Sequence, residues 1–178
     1  MTTYAGPLGK AFDITIGALP QDFCGSGITG KPVSMQNCEG MLVVVVKKKS
    51  GGTTDDLAID LQEVNGAGGT PRDLDIITDY WIKQETDLDN DEPWVKVTQS
   101  AASEITAIAG TSETDIILAF AVRSQDLSDG YSHIAVNVPD LGNTDTEYGT
   151  VLYIPYGLKV QRAPVNMPSW KTPGTANA

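Results

Sequence analysis

The stretch DLSDGYSHIAVNV, Asp126 to Val138, holds the only histidine of the 178-residue chain, with Ser132 directly before His133 and Asp126 and Asp129 just upstream. A serine, an imidazole and a carboxylate are the parts of an acyl-transfer site: a nucleophile, a general base and an acid that orients the base. The period of the stretch argues against that use. Ile134, Val136 and Val138 alternate with His133, Ala135 and Asn137, the pattern of a strand. Adjacent side chains on a strand point to opposite faces. Ser132 is therefore expected with Ile134 on the apolar face, and His133 on the other face with Tyr131 and Asn137, the two separated by the sheet. The sequence has no G-x-S-x-G elbow. No catalytic residue is assigned; Tyr131, His133 and Asn137 are expected to form a contact face for a partner.

Two other stretches imitate chemistry. GSGITGK, Gly25 to Lys31, matches part of a phosphate-binding loop, in which backbone N–H groups wrap the phosphates and the residue after the lysine holds magnesium through a hydroxyl. Here that residue is Pro32, and neither a buried strand before the stretch nor a helix after it is legible. The glycines read as a loop. DLDNDEP spaces Asp87, Asp89 and Asp91 like calcium ligands, but positions six and twelve of such a loop are Glu92 and Thr98 in place of Gly and Glu. It reads as an acidic hairpin loop. Cys24 and Cys38 with one histidine cannot make a four-ligand zinc site; both read as free thiols, with a single bridge between them as the alternative. No metal and no cofactor are assigned.

The elements that would position any site are strands. FDITI sets Phe12, Ile14 and Ile16 on one expected buried face, and LAIDLQEV does the same with Leu57, Ile59 and Leu61. MLVVVVKKK (Met41–Lys49) and DIILAFAVRS (Asp115–Ser124) are apolar on both faces, so they are expected as central strands buried on both sides, the first stopping at its lysines. DYWIKQ, WVKVTQ, SHIAVNV and VLYIPYGLKV complete the set, with Pro155 expected at an edge, a bulge or a break. Trp81 and Trp94 are expected in core or cross-strand packing. SGGTTDD, NGAGGTPRD, DLDNDEP, SDG and LGNTDTEYG read as loops. One short helix is expected around Ser100–Gly110, capped by Ser103, and DLDIITDYW stays open between a helical turn and a strand. The fold class is mainly β: an antiparallel β-sandwich or barrel-like domain with at most one or two short helices and extended termini.

Residues 1–10 read as an extended N-terminal segment, 11–161 as one β-rich domain and 162–178 as an extended, proline-containing arm. Pro164, Pro168 and Pro173 keep the arm from helix. Arg162, Pro164 and Trp170 are expected contact residues, with Trp170 as the anchor on a neighbouring subunit. The net charge is −11, and twenty of the 23 acids lie in residues 55–147, leaving both ends mildly basic. That balance argues against a nucleic-acid partner, which needs clustered Lys and Arg. There is no run of about 18 apolar residues, so no membrane span is expected. The first residues lack the basic and apolar regions of a secretory signal.

Residues 41–168, above all LSDGYSHIAVNV and LKVQRAP, resemble a family of small structural proteins of tailed bacteriophages encoded near the major capsid protein. The resemblance implies a virion component assembled in the host bacterial cytoplasm. Its favoured role is head decoration or capsid stabilisation. The implied partners are the major capsid protein and neighbouring copies of the chain. A tail, tail-tube or connector component is the alternative within the virion. A carbohydrate-binding β-sandwich, stacking sugars on Trp81, Trp94 and Trp170, is the alternative outside it. The resemblance supplies no catalytic residue.

Overall fold

A computed structural model describes residues 6–49, 56–106, 108, 110–111, 113–142 and 146–171. Most of the SGGTTDD loop, residues 1–5, residues 143–145 of the LGNTDTEYG loop and the arm beyond 171 lie outside the described residues. The strands are β1 (Thr15–Asp22), β2 (Val33–Ser34), β3 (Gly40–Lys47), β4 (Ile59–Val64), β5 (Pro71–Asp73), β6 (Ile77–Glu85), β7 (Val95–Ala102), β8 (Glu104–Ile105), β9 (Asp115–Arg123), β10 (His133–Asn137) and β11 (Tyr148–Tyr156). A six-stranded sheet runs β1-β11-β3-β9-β6-β7; a second runs β2-β10-β4-β5, with β8 also on β4. Neither sheet closes on itself, so the domain is an antiparallel β-sandwich and not a barrel.

Period two explains the core between the sheets. Met41, Val43 and Val45 of β3, Ile116, Leu118 and Val122 of β9, and Val151 and Tyr153 of β11 face inward from the large sheet. Leu61 of β4 and Ile134 and Val136 of β10 meet them from the small one. The Tyr153 hydroxyl ties the layers by accepting the Val136 N–H at 2.8 Å. Lys47 shares the inward parity of Val45, so the first of the three lysines is fully buried and pairs with Glu147; the apolar run does not stop at solvent there.

Several expectations change. No helix forms over 100–110 among the described residues: β7 continues to Ala102, and Ile105 of β8 pairs with Ile59. Ser103 caps nothing. Its N–H donates to the Asp75 carboxylate at 3.0 Å and its carbonyl accepts the Leu61 N–H at 2.9 Å, so cross-strand partners outcompete the helix. Among the described residues, helical geometry is confined to 3-10 turns at Ser124–Asp126 and Pro164–Asn166. Pro155 lies inside β11, opposite Met41. Its carbonyl accepts the Asp13 N–H, so its missing donor faces the β1 side, beyond the last paired residue Thr15. β1 itself is displaced from the expected FDITI. Ile14 is 53% exposed and Ile16 pairs with Leu152 on the outer face; a register shift after Ile16 then turns Ala18 inward opposite Val151.

Candidate functional site

Ser132 and His133 are not separated by the sheet. The Ser132 Oγ lies 2.8 Å from His133 Nδ1, because β10 begins at His133 and Ser132 precedes it, outside the alternation. The other ring nitrogen, Nε2, lies 3.0 Å from the Lys171 carbonyl. A carbonyl only accepts, so Nε2 carries the proton and Nδ1 accepts the Ser132 hydroxyl. The order is that of a nucleophile and base, with a neutral main-chain carbonyl in the place of the acid. The surrounding donors are already engaged. Ser132 N–H binds the Val64 carbonyl, Tyr131 N–H the Ser128 carbonyl, Met35 N–H the Ser132 carbonyl and Gln36 N–H the Ser34 Oγ. An acyl-transfer site needs donors aimed at a developing oxyanion, and these amides point elsewhere. Asp126 is spent on Arg123, which it binds through Nε at 3.1 Å and Nη2 at 2.8 Å. The cluster is a structural tie.

What it ties is the C-terminal arm. Trp170 is buried, its indole N–H donates to the Asp13 carboxylate, and its carbonyl accepts the Ser34 N–H at 2.6 Å. The Arg162 N–H donates to the Gly9 carbonyl at 2.8 Å. Trp170 and His133, expected to face a neighbour, are therefore buried against their own domain. β10 lies between β2 and β4, and the arm binds the main chain of β2, the short edge strand of this sheet. Asn137 is also spent internally. Its amide donates to Gln62 at 2.8 Å and its oxygen accepts the Gly30 N–H at 2.9 Å. Tyr131 stacks under the Arg72 guanidinium at 4.2 Å. Arg162 has an exposed side chain, and Pro164 opens the 3-10 turn of the arm.

The imitation motifs resolve structurally. Gly30 has no room for a side chain: a Cβ there would collide with the Val136 carbonyl oxygen. The GSGITGK glycines let the chain pass close along β10. In the acidic loop, Asp87 pairs with Lys49 at 2.7 Å, and Glu92 accepts the Asp89 N–H at 2.6 Å. Glu85, Asp91 and Glu92 bring carboxylate oxygens within 4.8 Å of one another. Asp91 is pushed above the usual carboxylate range, first by the charge of Asp89. Cys24 and Cys38 are not bridged to each other, and both are buried.

The surface that the sequence pattern does not reveal is the outer face of the six-stranded sheet. Pairing aligns Ile16, Leu152, Val44, Ala119 and Trp81 in one row across five strands. Ile154, Leu42 and Ala121 form the row on one side, and Thr150, Val46, Ile117 and Lys83 the row on the other. No second layer covers this face among the described residues. The expectation that β3 and β9 are buried on both sides fails for that reason: they are central in their sheet, but on the outer side Ala119 is buried, Leu42, Val44 and Ile117 are half-buried, and Val46 and Ala121 are exposed. Trp81 and Trp94 are 46% and 45% exposed there, not in the core. Lys83 Nζ lies 5.6 Å from the Trp94 ring, and Lys96 pairs with Asp79 at 2.9 Å at the same edge. A hollow of about 280 Å³ opens beside Trp81 over Ala119 and Ala121. The doubled apolar pattern of MLVVVV is the signal that could have found this face; it implies a covering layer that the described residues do not supply.

No family model matches this sequence, and no curated protein matches it.

Proposed function

We propose that this chain is a non-enzymatic structural protein of a tailed-bacteriophage virion, a head decoration protein that binds and stabilises the major capsid protein lattice. The uncovered apolar face of the six-stranded sheet carries the structural part of this reading. Contiguous apolar patches of that kind mark interaction surfaces, and a chain that leaves one in water is built to finish in an assembly. The placement in a phage head is supported by the resemblance carried by LSDGYSHIAVNV and LKVQRAP. The net charge of −11 suits a subunit displayed to solvent and not one in contact with packaged DNA. By binding the assembled lattice better than free capsid subunits, such a protein stabilises the shell through mass action. The test is to add labelled chain to particles that lack it and image them. Label spread over the shell, in numbers comparable to the capsid protein, is expected. A single axial cluster would place it in the tail or connector, and unlabelled particles would remove the virion reading.

A second reading has its own observation. Trp81 and Trp94 lie half-exposed on one face of adjacent strands, a platform on which sugar rings can stack. A glycan array distinguishes it: reproducible hits lost in Trp94→Ala support carbohydrate binding, and a blank array counts against it.

A further inference from the structure

We infer that the outer face of the six-stranded sheet is an interface between two copies of this chain, in which indoles of one copy seat in the hollow over Ala119 and Ala121 of the other. The inference rests on the assembly part of the functional reading and not on placement in a phage head.

Shape is the first argument. A two-fold interface brings the same patch of both copies together, so it must be self-complementary. Here the projection and the recess lie on one face. Trp81 and Trp94 stand out at the β6–β7 edge. One strand over, the small side chains of Ala119 and Ala121 leave a hollow of about 280 Å³, bordered by Leu42, Thr78 and Asp79 and open to the outside. Each copy thus carries a knob and a hole, and turning one copy over the other can fill both holes together.

Charge is the second. Two chains of −11 repel each other over most of their surfaces. The row from Ile16 to Trp81 contains no ionisable side chain, and at its border Lys83 lies over Trp94 while Lys96 and Asp79 offset each other. The acidic loop with Asp89 and Asp91 lies off this row. Contact through this face brings together the parts of the two copies that repel least.

Area is the third. Five strands about 4.8 Å apart, each contributing roughly five residues at about 3.4 Å, give a patch on the order of 400 Å² in projection. A standard interface takes about 800 Å² of accessible surface from each partner. The face therefore supplies the apolar centre of a dimer interface, with the β6–β7 rim to extend it.

Sedimentation of the full chain over a range of concentrations tests this, with Ala121→Arg and Trp81→Ser beside the unmodified protein. The unmodified chain is expected at twice its 18.9 kDa mass. Ala121→Arg blocks the hollow from an exposed position and should weaken the dimer at least about tenfold, as should removing the Trp81 knob. Circular dichroism confirms that each variant folds; should Ala121→Arg fail, Thr78→Arg at the rim of the same hollow replaces it. A chain that stays monomeric at every concentration overturns the inference, as does a dimer that tolerates all these substitutions. Particle binding is measured separately. A dimer that ignores particles refutes the head placement and leaves the interface standing. A monomer that binds particles through this face overturns the interface between copies.

Discussion

The Nζ of Lys47 lies 2.9 Å from the Oε2 of Glu147, and neither side chain is accessible to solvent. Lys47 ends β3 and Glu147 immediately precedes β11, so the pair clamps these two adjacent strands at one end of the sandwich. Removing one member strands the other charge in the interior. Lys47→Met is expected to lower stability by about 3–5 kcal/mol, and Lys47→Met with Glu147→Leu to recover most of that loss. Urea unfolding of both variants checks it; equal losses in the single and double variants would count against the pair.

Cys38 is buried, and desolvation raises its thiol from 9.0 to about 11 against the smaller opposing effect of Ser124. Two pH units mean roughly 100-fold less thiolate than in the unfolded chain near pH 8. Native protein should therefore react with a disulfide reagent far more slowly at Cys38 than protein in denaturant. The folded state holds the proton more tightly. This site's contribution to stability is thus complete below pH 9.0 and is lost as pH rises toward about 11. Alkaline melts of Cys38→Ala against the unmodified chain isolate it: the variant should lose less stability across that window.

Asp60 faces Asn137 across β4 and β10, and its Oδ1 is buried with no hydrogen-bond partner among the described residues. Desolvation, then the charge of Asp73, raises its carboxyl above 3.8. Ionised Asp60 therefore costs stability at neutral pH, and the cost fades as pH falls through the raised value toward 3.8. Asp60→Asn should stabilise the protein at pH 7 by about 1 kcal/mol or less, given partial exposure. The gain should vanish near pH 3.8. Thermal melts at the two pH values decide; a gain that persists in acid would exclude this cause.

Trp170 fastens the arm through Asp13 and Ser34. Trp170→Ala should cost about 3 kcal/mol and expose the chain after Arg162 to trypsin while the sheets stay folded. Urea curves give the first quantity and the rate of cleavage the second. Cleavage no faster than in the unmodified chain would mean the arm is held elsewhere.

The long strands are legible in the sequence because each keeps its period. DIILAFAVRS and SHIAVNV contain β9 and β10, which stop one residue short at one end of the first and at both ends of the second, and Leu57, Ile59 and Leu61 are buried as their alternation requires. The failures share a cause: information that lives in partners and not in local pattern. Ile14 and Ile16 alternate correctly, but a bulge decides which face they join. The alanines near Ser100 favour a helix until Ile105 finds Ile59. Ser132 sits one residue outside its strand, and that single position lets its hydroxyl reach the His133 ring. The functional surface is half legible. MLVVVV and DIILAFAV announce two apolar faces, but no local pattern says whether the second cover comes from the same chain or from another.

The first and last described segments meet. β1 pairs with β11, Gly9 binds Arg162, and Asp13 binds Trp170. Every ladder partner of β3 lies in β9 or β11, in the second half of the chain. During synthesis the Val-rich β3 therefore leaves the ribosome long before its partners exist, and the large sheet can be completed only once β11 has emerged. Long-range pairing of this kind makes folding slow and leaves sticky intermediates. Lys47, Lys48 and Lys49 follow the valines directly, and charge beside an apolar run opposes the association of unpaired strands.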